Sequence, residues 1–115
     1  MTPIGVFVVG ALGDVATTAA AGAAALARGI APSTGLVTEL AEFRGAGLAP
    51  WSALRFGGAD VRAGDLLANA RELASRHASI LPADVVEAVG EDLAAATRRV
   101  ERGFLCGAAQ PVVDI

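Results

Sequence analysis

The chain has 115 residues and a formal net charge of -3, with 54% hydrophobic and 18% charged residues. A chain of this length buries roughly two thirds of the surface that its unfolded form exposes, which is enough for one domain with a single core. Because all nine basic residues are arginines scattered along an acidic chain, no basic stripe is available to displace counterions, and the composition argues against a nucleic-acid-binding protein.

The apolar N-terminal stretch is a poor match to a targeting or membrane segment. A signal peptide begins with a basic region, but the first basic residue, Arg28, lies beyond the apolar run. A transmembrane helix needs about twenty strongly apolar residues, and Asp14, Thr17 and Thr18 interrupt this stretch. The single cysteine, Cys106, cannot form an internal disulfide. We therefore expect a cytoplasmic protein that does not bind membranes.

The first predicted elements are a strand, a glycine turn and a helix. Residues 4–10, IGVFVVG, are almost continuously apolar, which is typical of a strand buried on both faces of a parallel sheet. An alanine-rich helix is predicted next, with Asp14 as its N-cap and with Arg28 and Gly29 at its C-terminal end. Its small side chains would let the helix pack closely on the sheet, as a dinucleotide-binding βα unit requires.

The rest of the chain continues the alternation of strands and helices. Residues 30–52 are interrupted by glycines and prolines and predict no firm element, whereas residues 53–61, ALRFGGADV, predict a second strand. Helical periodicity follows at residues 63–78, and a last helix is predicted to begin at Pro82 and run to Arg102. The sequence thus predicts an α/β fold with a parallel sheet and flanking helices.

The glycine turn carries the strongest chemical signal. Gly10, Gly13 and Ala16 have the spacing G-x-x-G-x-x-A between strand and helix, where free helix N–H groups can bind a pyrophosphate. The alternative is a tight turn that binds nothing. Asp60 follows the second strand, where Rossmann folds place an acidic residue that bonds the adenosine ribose. The distance in sequence from the glycine turn to Asp60 exceeds the usual spacing of about 20 residues. The spacing therefore supports a ribose-binding role only weakly, and the alternative is an Asp that lies in a turn or caps the next helix.

Other candidate residues have structural interpretations. His77 is interpreted as a solvated residue near a helix end, Cys106 as a small buried hydrophobe and Trp51 as a packing residue. A single histidine and a single cysteine cannot form a metal site of the usual spacing, so no metal is expected. Because no carboxylate pair has a catalytic spacing, no catalytic residue is predicted, and a complete small enzyme is the least favoured interpretation.

Longer strings of the sequence resemble one known family. VVGALGDVATTAAAGAAALARGIAPSTGLVTELAEF, LRFGGADVR and LPADVVEAVGEDLAAATRRVERG are similar to the N-terminal region of inositol-3-phosphate synthase (myo-inositol-1-phosphate synthase) in its bacterial and archaeal form. The resemblance covers essentially the whole chain, and its most specific parts are the GxxGxVATT turn, TGLVTEL.EF and FGGxD. Members of that family are homotetrameric isomerases of inositol and phospholipid biosynthesis that convert glucose 6-phosphate to inositol 3-phosphate with tightly bound NAD.

The resemblance implies a partial Rossmann-like NAD(P)-binding unit with NAD as its cofactor. The residues that it places at the NAD pyrophosphate are Gly10, Ala11, Leu12, Gly13, Asp14 and Val15. It also implies that Asp60 contacts the adenosine end of NAD. Three residues depart from the family pattern: Leu12 replaces Arg, Asp14 replaces a small polar residue, and Ala59 replaces an aromatic residue or His. Together these departures are expected to weaken or abolish NAD binding.

Family chains are several times longer, so residues 1–115 are expected to form a single truncated NAD-binding unit that lacks the substrate domain and its catalytic lysines. The expected function is that of the N-terminal NAD-binding part of an inositol-3-phosphate synthase-like isomerase, not catalytically complete alone. The alternative is a non-catalytic interaction subunit, because half of a doubly wound sheet leaves an open edge and uncovered apolar faces. Both interpretations predict association, with further copies of the chain or with a complementary chain.

Overall fold

A computed structural model describes residues 2–104, so Cys106 lies outside the described residues. In chain order, the elements are β1 (Ile4–Val9), α1 (Asp14–Ala27), β2 (Leu54–Asp60), α2 (Leu66–Arg76), α3 (Ala83–Ala88), α4 (Gly90–Thr97) and β3 (Val100–Arg102). Between α1 and β2, where no firm element is predicted, there are three short 3-10 turns at Val37–Glu39, Ala41–Phe43 and Trp51–Ala53. No helix of residues 2–104 combines the length and apolarity needed to cross a bilayer.

The sheet has three parallel strands in the order β1-β2-β3. β1 pairs with β2 over its whole length, from Ile4 opposite Leu54 to Val9 opposite Ala59. β3 pairs only with the end of β2, from Gly58 to Asp60. The predicted α/β class with a parallel sheet and flanking helices is confirmed, and this strand order is compatible with one half of a doubly wound sheet.

The core lies between the helices and one face of the sheet. Its largest fully buried side chains are Leu66, Leu93, Val86, Val89 and Thr17. α1 contributes mainly alanines to this core, including Ala20, Ala21 and Ala25. Because an alanine side chain is a single methyl group, α1 can pack closely against its neighbours. Val8 of β1 lines the same small cavity as Ala16 and Ala20 of α1, so this is the face of the strand that the helices cover.

The opposite face of the sheet is open in the described residues. Successive side chains of a strand point to opposite faces, and Phe7 and Val9, which alternate with the covered Val8, are 67% and 87% exposed. The prediction that β1 is buried on both faces is therefore wrong for this part of the chain. The physical reason is that α1, α2, α3 and α4 contact one another, and α1 and the start of α2 line the cavity on the side of Val8.

The structure confirms the prediction that Gly29 caps the C-terminal end of α1. Ile30 N donates to Ala25 O at 3.0 Å and Gly29 N donates to Leu26 O at 3.1 Å, which is the Schellman pattern. Gly29 has φ +70°, a conformation that favours glycine. The sequence thus places the end of the helix correctly, because this cap requires a residue with positive φ.

The predicted helix from Pro82 to Arg102 is largely helical, but it is broken at Val89 and the prediction is wrong for its last residues, 98–102. α3 ends at Ala88, α4 ends at Thr97, and residues 100–102 form β3. Gly58 N donates to Arg99 O at 3.2 Å and Gly103 N donates to Asp60 O at 2.8 Å, so the backbone around β3 satisfies the second edge of β2. A half-buried Val100 fits a helical period and a strand equally well, and the free edge of β2 favours the strand.

Candidate functional site

The candidate site lies at the carboxyl ends of β1 and β2, where the glycine turn meets the end of β2. Gly10 N and Ala11 N both donate to Ala59 O, at 2.8 and 3.1 Å. Gly13 N closes the turn on Gly10 O at 3.0 Å. Gly10 has φ +84°, which an L side chain rarely adopts, so a glycine is required here for the backbone geometry itself.

The turn leads directly into the N-terminus of α1. The N-cap is Gly13, so the prediction that Asp14 is the N-cap is wrong by one residue, and Asp14 is instead the first residue of the helix. Gly13 has no side chain with which to cap the helix, and the first N–H groups of an α-helix have no partner within it. Val15, in this first turn, is 85% exposed. The helix therefore presents free N–H groups and the positive end of its dipole beside the turn.

Asp60, the last residue of β2, holds the turn from the other side. Its side chain is only 3% exposed, and its Oδ2 accepts a hydrogen bond from Leu12 N at 2.9 Å. Leu12 O, in turn, accepts a hydrogen bond from Asn69 Nδ2 of α2 at 3.0 Å. The sequence separation of 48 residues between Leu12 and Asp60 does not keep them apart, because β1 and β2 are adjacent strands.

Arg62 completes the site, although it is not among the residues that the sequence predicts. Its backbone N–H donates to Asp60 Oδ1 at 2.9 Å, its Nε donates to the same oxygen at 3.1 Å, and its Nη2 donates to Asp60 Oδ2 at 3.1 Å. The Arg62 side chain is 60% exposed. A Cβ atom built at Gly13 would lie 3.2 Å from Arg62 Nη2, so the guanidinium group lies over the glycine turn. Its position two residues after Asp60 was the available signal.

The pair of Asp60 and Arg62 is strongly ionised. The side-chain hydrogen bonds from Arg62 lower the pKa of Asp60 from 3.8 to about 2; burial opposes this shift, and the backbone N–H groups of Arg62 and Leu12 add to it. The hydrogen bonds to Asp60 and its negative charge raise the pKa of Arg62. At neutral pH the site therefore contains a buried carboxylate and an exposed guanidinium group in direct contact.

The structure brings the seven sequence-predicted binding residues together at this one place. Ala11 and Leu12 are buried, at 4% and 7% exposure, and they contribute backbone groups to the turn. The Leu12 side chain belongs to the core cluster, which accounts for an apolar residue at this position. Asp14 is exposed, and its carboxylate lies 3.9 Å from Arg76 Nη2.

Two further sequence-selected residues lie elsewhere. His77 is the C-cap of α2, in agreement with its interpretation as a helix-end residue, and its N–H donates to Leu73 O at 2.7 Å. Trp51 lies in a 3-10 turn before β2, and its Nε1 donates to Glu39 Oε1 at 2.7 Å. No protein-family model matches the chain, and a search of curated proteins also found no match.

The ionisation of Asp60 predicts a specific loss of stability in acid. Because its pKa is lower in the folded chain than in the unfolded chain, its stabilising contribution is complete above about pH 4 and is lost as the pH falls through about 2. We expect D60N to lower the free energy of unfolding at pH 7 by about 1–3 kcal/mol, the usual cost of a disrupted buried hydrogen-bond network. The difference from the wild type should shrink between pH 4 and pH 2 in urea unfolding.

The matched control is E87Q, which removes an exposed carboxylate that is also paired with an arginine, Arg71. Because an exposed ion pair contributes little, E87Q should destabilise the chain less than D60N does. A constant difference between D60N and the wild type from pH 7 to pH 2 would contradict the assigned pKa of Asp60.

Proposed function

We propose that the chain binds a dinucleotide, NAD, through the glycine turn and the start of α1. We further propose that it does so as the N-terminal part of an inositol-3-phosphate synthase-like isomerase, as the sequence resemblance implies. The observation that carries the proposal is the hydrogen bond from Leu12 N to Asp60 Oδ2. It joins the turn after β1 to the acidic residue that ends β2, the two features that a dinucleotide-binding βαβ unit places side by side.

The pyrophosphate would bind at the start of α1. Free N–H groups of the first helical turn donate hydrogen bonds to phosphate oxygens, and the helix dipole favours their negative charge. Because Gly13 has no Cβ atom, the Arg62 guanidinium group can lie beside the helix start, where a Cβ atom would be 3.2 Å from its Nη2. The negative charge of Asp14 repels an anion bound here. Its side chain is 69% exposed and lies 3.9 Å from Arg76 Nη2, so both solvent and Arg76 reduce this repulsion.

The adenosine end would bind near Asp60. The carboxyl ends of parallel strands form the usual crevice for ligands in open α/β sheets, and Asp60 is at the carboxyl end of the central strand. Ala59 contributes its carbonyl oxygen to the glycine turn and has too small a side chain to stack on an adenine. Contacts with the base would therefore have to come from other residues.

The proposed role of this chain is to bind the cofactor, not to perform the isomerase chemistry. The sequence contains no lysine, so the catalytic lysines that the resemblance implies would have to be supplied outside these residues. The ionised side chains at the site are Asp14, Asp60, Arg62 and Arg76. Of these, Asp60 is held in hydrogen bonds with the turn and with Arg62, which suits a binding and positioning role.

Calorimetric titration with NAD tests this proposal. We expect heat of binding from the wild type and at least a tenfold loss of affinity in G13V, because the valine side chain would occupy the approach to the helix start. The backbone of Gly13, with φ -75° and ψ 168°, is accessible to valine. The new Cβ atom would lie 3.2 Å from Gly10 O and from Arg62 Nη2, so these neighbours must shift by a few tenths of an ångström, and circular dichroism checks that G13V still folds.

The matched control is G22A, which adds a methyl group within α1 where no other atom lies within 4 Å of the new Cβ. G22A should bind NAD as the wild type does. The absence of binding heat in the wild type, or equal affinities for G13V and G22A, would refute the proposed cofactor site.

A second candidate function is that of a non-catalytic interaction subunit. The specific observation in its favour is the open face of the sheet, where Phe7 and Val9 are 67% and 87% exposed on a strand that carries no charged residue. Within residues 2–104, β1 pairs with β2 alone, so its other edge has unpaired backbone groups. Exposed apolar faces and uncharged edge strands favour association with another chain.

Light scattering after size-exclusion chromatography tests the interaction candidate. We expect the wild type to have a mass of two or more chains, and V9E to shift it toward one chain because a carboxylate on the open face disfavours burial there. The matched control is V37E, at a valine that is 63% exposed in a 3-10 turn outside the sheet. A wild type that is monomeric at micromolar concentration would contradict the candidate.

A further inference from the structure

A second arginine-rich surface lies at the amino end of β2, the end of the strand opposite the candidate site. A cavity of about 450 Å³ lies there between α1, the start of β2 and α4. Its charged lining residues are Arg28, Arg55, Asp92 and Arg99, and we call the cavity that they surround the arginine cleft. We propose that the arginine cleft binds a doubly charged oxyanion, the phosphate group of a small molecule.

The cleft lies along a part of β2 that has no strand on its second edge. β3 pairs only with Gly58–Asp60, so within residues 2–104 the first half of β2 pairs with β1 alone. The segment that leads from α4 into β3 runs beside this edge, because a Cβ atom built at Gly57 would lie 2.8 Å from Arg99 Cβ. The glycine thus lets Arg99 approach the unpaired part of the strand.

Two arginine side chains bond carbonyl oxygens at this edge. Arg55 Nη1 donates to Ser52 O at 2.7 Å and to Leu54 O at 3.1 Å. Arg99 Nε donates to Phe56 O at 2.9 Å. Since Leu54 and Phe56 are two residues apart on one strand, the strand oxygens that hold the two guanidinium groups are about 7 Å apart. The backbone of β2 therefore fixes both groups at the border of the cleft.

The charges of these two arginines are not offset by a carboxylate in contact with them. Arg28 Nε lies 2.6 Å from Asp92 Oδ2, and the negative charge of Glu91 also acts on Arg28. Arg55 and Arg99, by contrast, form no ion pair with any other residue in the described part of the chain. Two guanidinium groups without a carboxylate partner match the charge of a phosphate monoester, which is about -1.5 to -2 at neutral pH.

Both arginines keep donors for a ligand. Arg55 uses only Nη1 in its hydrogen bonds and Arg99 uses only Nε, which leaves Nε and Nη2 of Arg55 and both terminal nitrogens of Arg99. Both residues are exposed, so a ligand can reach these donors. Charge-assisted N–H···O bonds are about 2.8 Å long, so one phosphate group between the two guanidinium groups can accept hydrogen bonds from each.

The C-terminal end of α1 also borders the cleft, and its dipole by itself disfavours an anion. Two of its last carbonyl oxygens are already bonded, since Ile30 N donates to Ala25 O and Gly29 N donates to Leu26 O. Arg28 is the C-cap and places a positive side chain at the same end. The cap and the charge of Arg28 therefore reduce the repulsion of a bound anion.

The cleft also has room for an organic group attached to the phosphate. Its volume falls within the range of about 300–1,000 Å³ that is usual for small-molecule sites. Six alanines of α1 and α4 line it together with Trp51 and Phe56, so small side chains leave the space and two aromatic rings border it. We therefore expect the phosphate of a small phosphate ester to bind there.

A ¹H–¹⁵N NMR titration of the chain with phenyl phosphate, at neutral pH and constant ionic strength, tests this inference. We expect saturable shifts of the Arg55, Phe56 and Arg99 amides. R55Q and R99Q should each weaken binding at least about fivefold, because each removes one of the two charged donor groups. Glutamine keeps an amide donor for the carbonyl oxygens of β2, and circular dichroism checks that both variants fold.

Two further ligands identify the chemistry that the cleft recognises. Benzoate has the same ring but one negative charge, so it should bind at least about fivefold more weakly than phenyl phosphate. Inorganic phosphate should also bind. A weaker affinity than that of phenyl phosphate would assign the cleft to a phosphate ester, and an equal affinity would assign it to free phosphate, and both results support a phosphate site.

The matched control is R71Q. The Arg71 side chain is 56% exposed, but it is paired with Glu87 and lies on α2, outside the cleft. R71Q changes the net charge of the chain by the same amount as R55Q and R99Q do. It should keep the wild-type affinity for phenyl phosphate, because it leaves the donors of the cleft in place.

Three results would overturn the inference. The first is the absence of saturable shifts in the wild type, or shifts confined to the Gly13 and Val15 amides at the start of α1. The second is an unchanged affinity in both R55Q and R99Q, or an equal loss in R71Q. The third is a benzoate affinity equal to that of phenyl phosphate, which would contradict the recognition of a doubly charged group. None of these results bears on NAD binding at the glycine turn, which is tested separately.

Discussion

The buried carboxylate of Asp60 connects the parts of the molecule on which the candidate site depends. Its side chain bonds Leu12 after β1 and Arg62 after β2, and its carbonyl oxygen accepts a hydrogen bond from Gly103 after β3. A buried charge is tolerated only when hydrogen bonds and an opposite charge compensate for its loss of solvation. The geometry of the turn, the position of the guanidinium group and the ionisation of the site therefore depend on one another through this residue.

A second constraint is the one-sided coverage of the sheet. α1 packs closely because its buried residues are mostly alanines, and it covers the face that contains Val8. The opposite face exposes Phe7 and Val9. This arrangement leaves the carboxyl ends of the strands available for a ligand and the open face available for another chain, so the two proposed functions use different surfaces and are compatible.

The elements with strong local signals could be predicted from the sequence. β1 follows from an apolar run rich in β-branched residues, and the end of α1 follows from Gly29, which has a positive φ. β2 was also predicted, although its residues, LRFGGAD, include no β-branched side chain. The end of the last predicted helix could not be placed, because Val100 fits the helical period and only pairing with β2 makes it a strand. The long sequence separation between the glycine turn and Asp60 argues against Asp60 as a site residue. The separation comes from the long connection between α1 and β2, which leaves β1 and β2 adjacent in the sheet. Asn69 carries no sequence pattern of its own, and the signal for Arg62 is only its position two residues after Asp60. The roles of both depend on which backbone and carboxylate groups the fold places beside them.

The most direct measurement of the central claim is a ¹H–¹⁵N NMR titration of the chain with NAD. If the dinucleotide binds where the glycine turn, the start of α1 and Asp60 meet, the largest shifts should be those of the Leu12, Gly13, Val15 and Arg62 amides. The Trp51 indole N–H, which is bonded to Glu39 outside the site, should stay unchanged. Shifts confined to Phe7 and Val9 on the open face, or no shifts at all, would contradict the account.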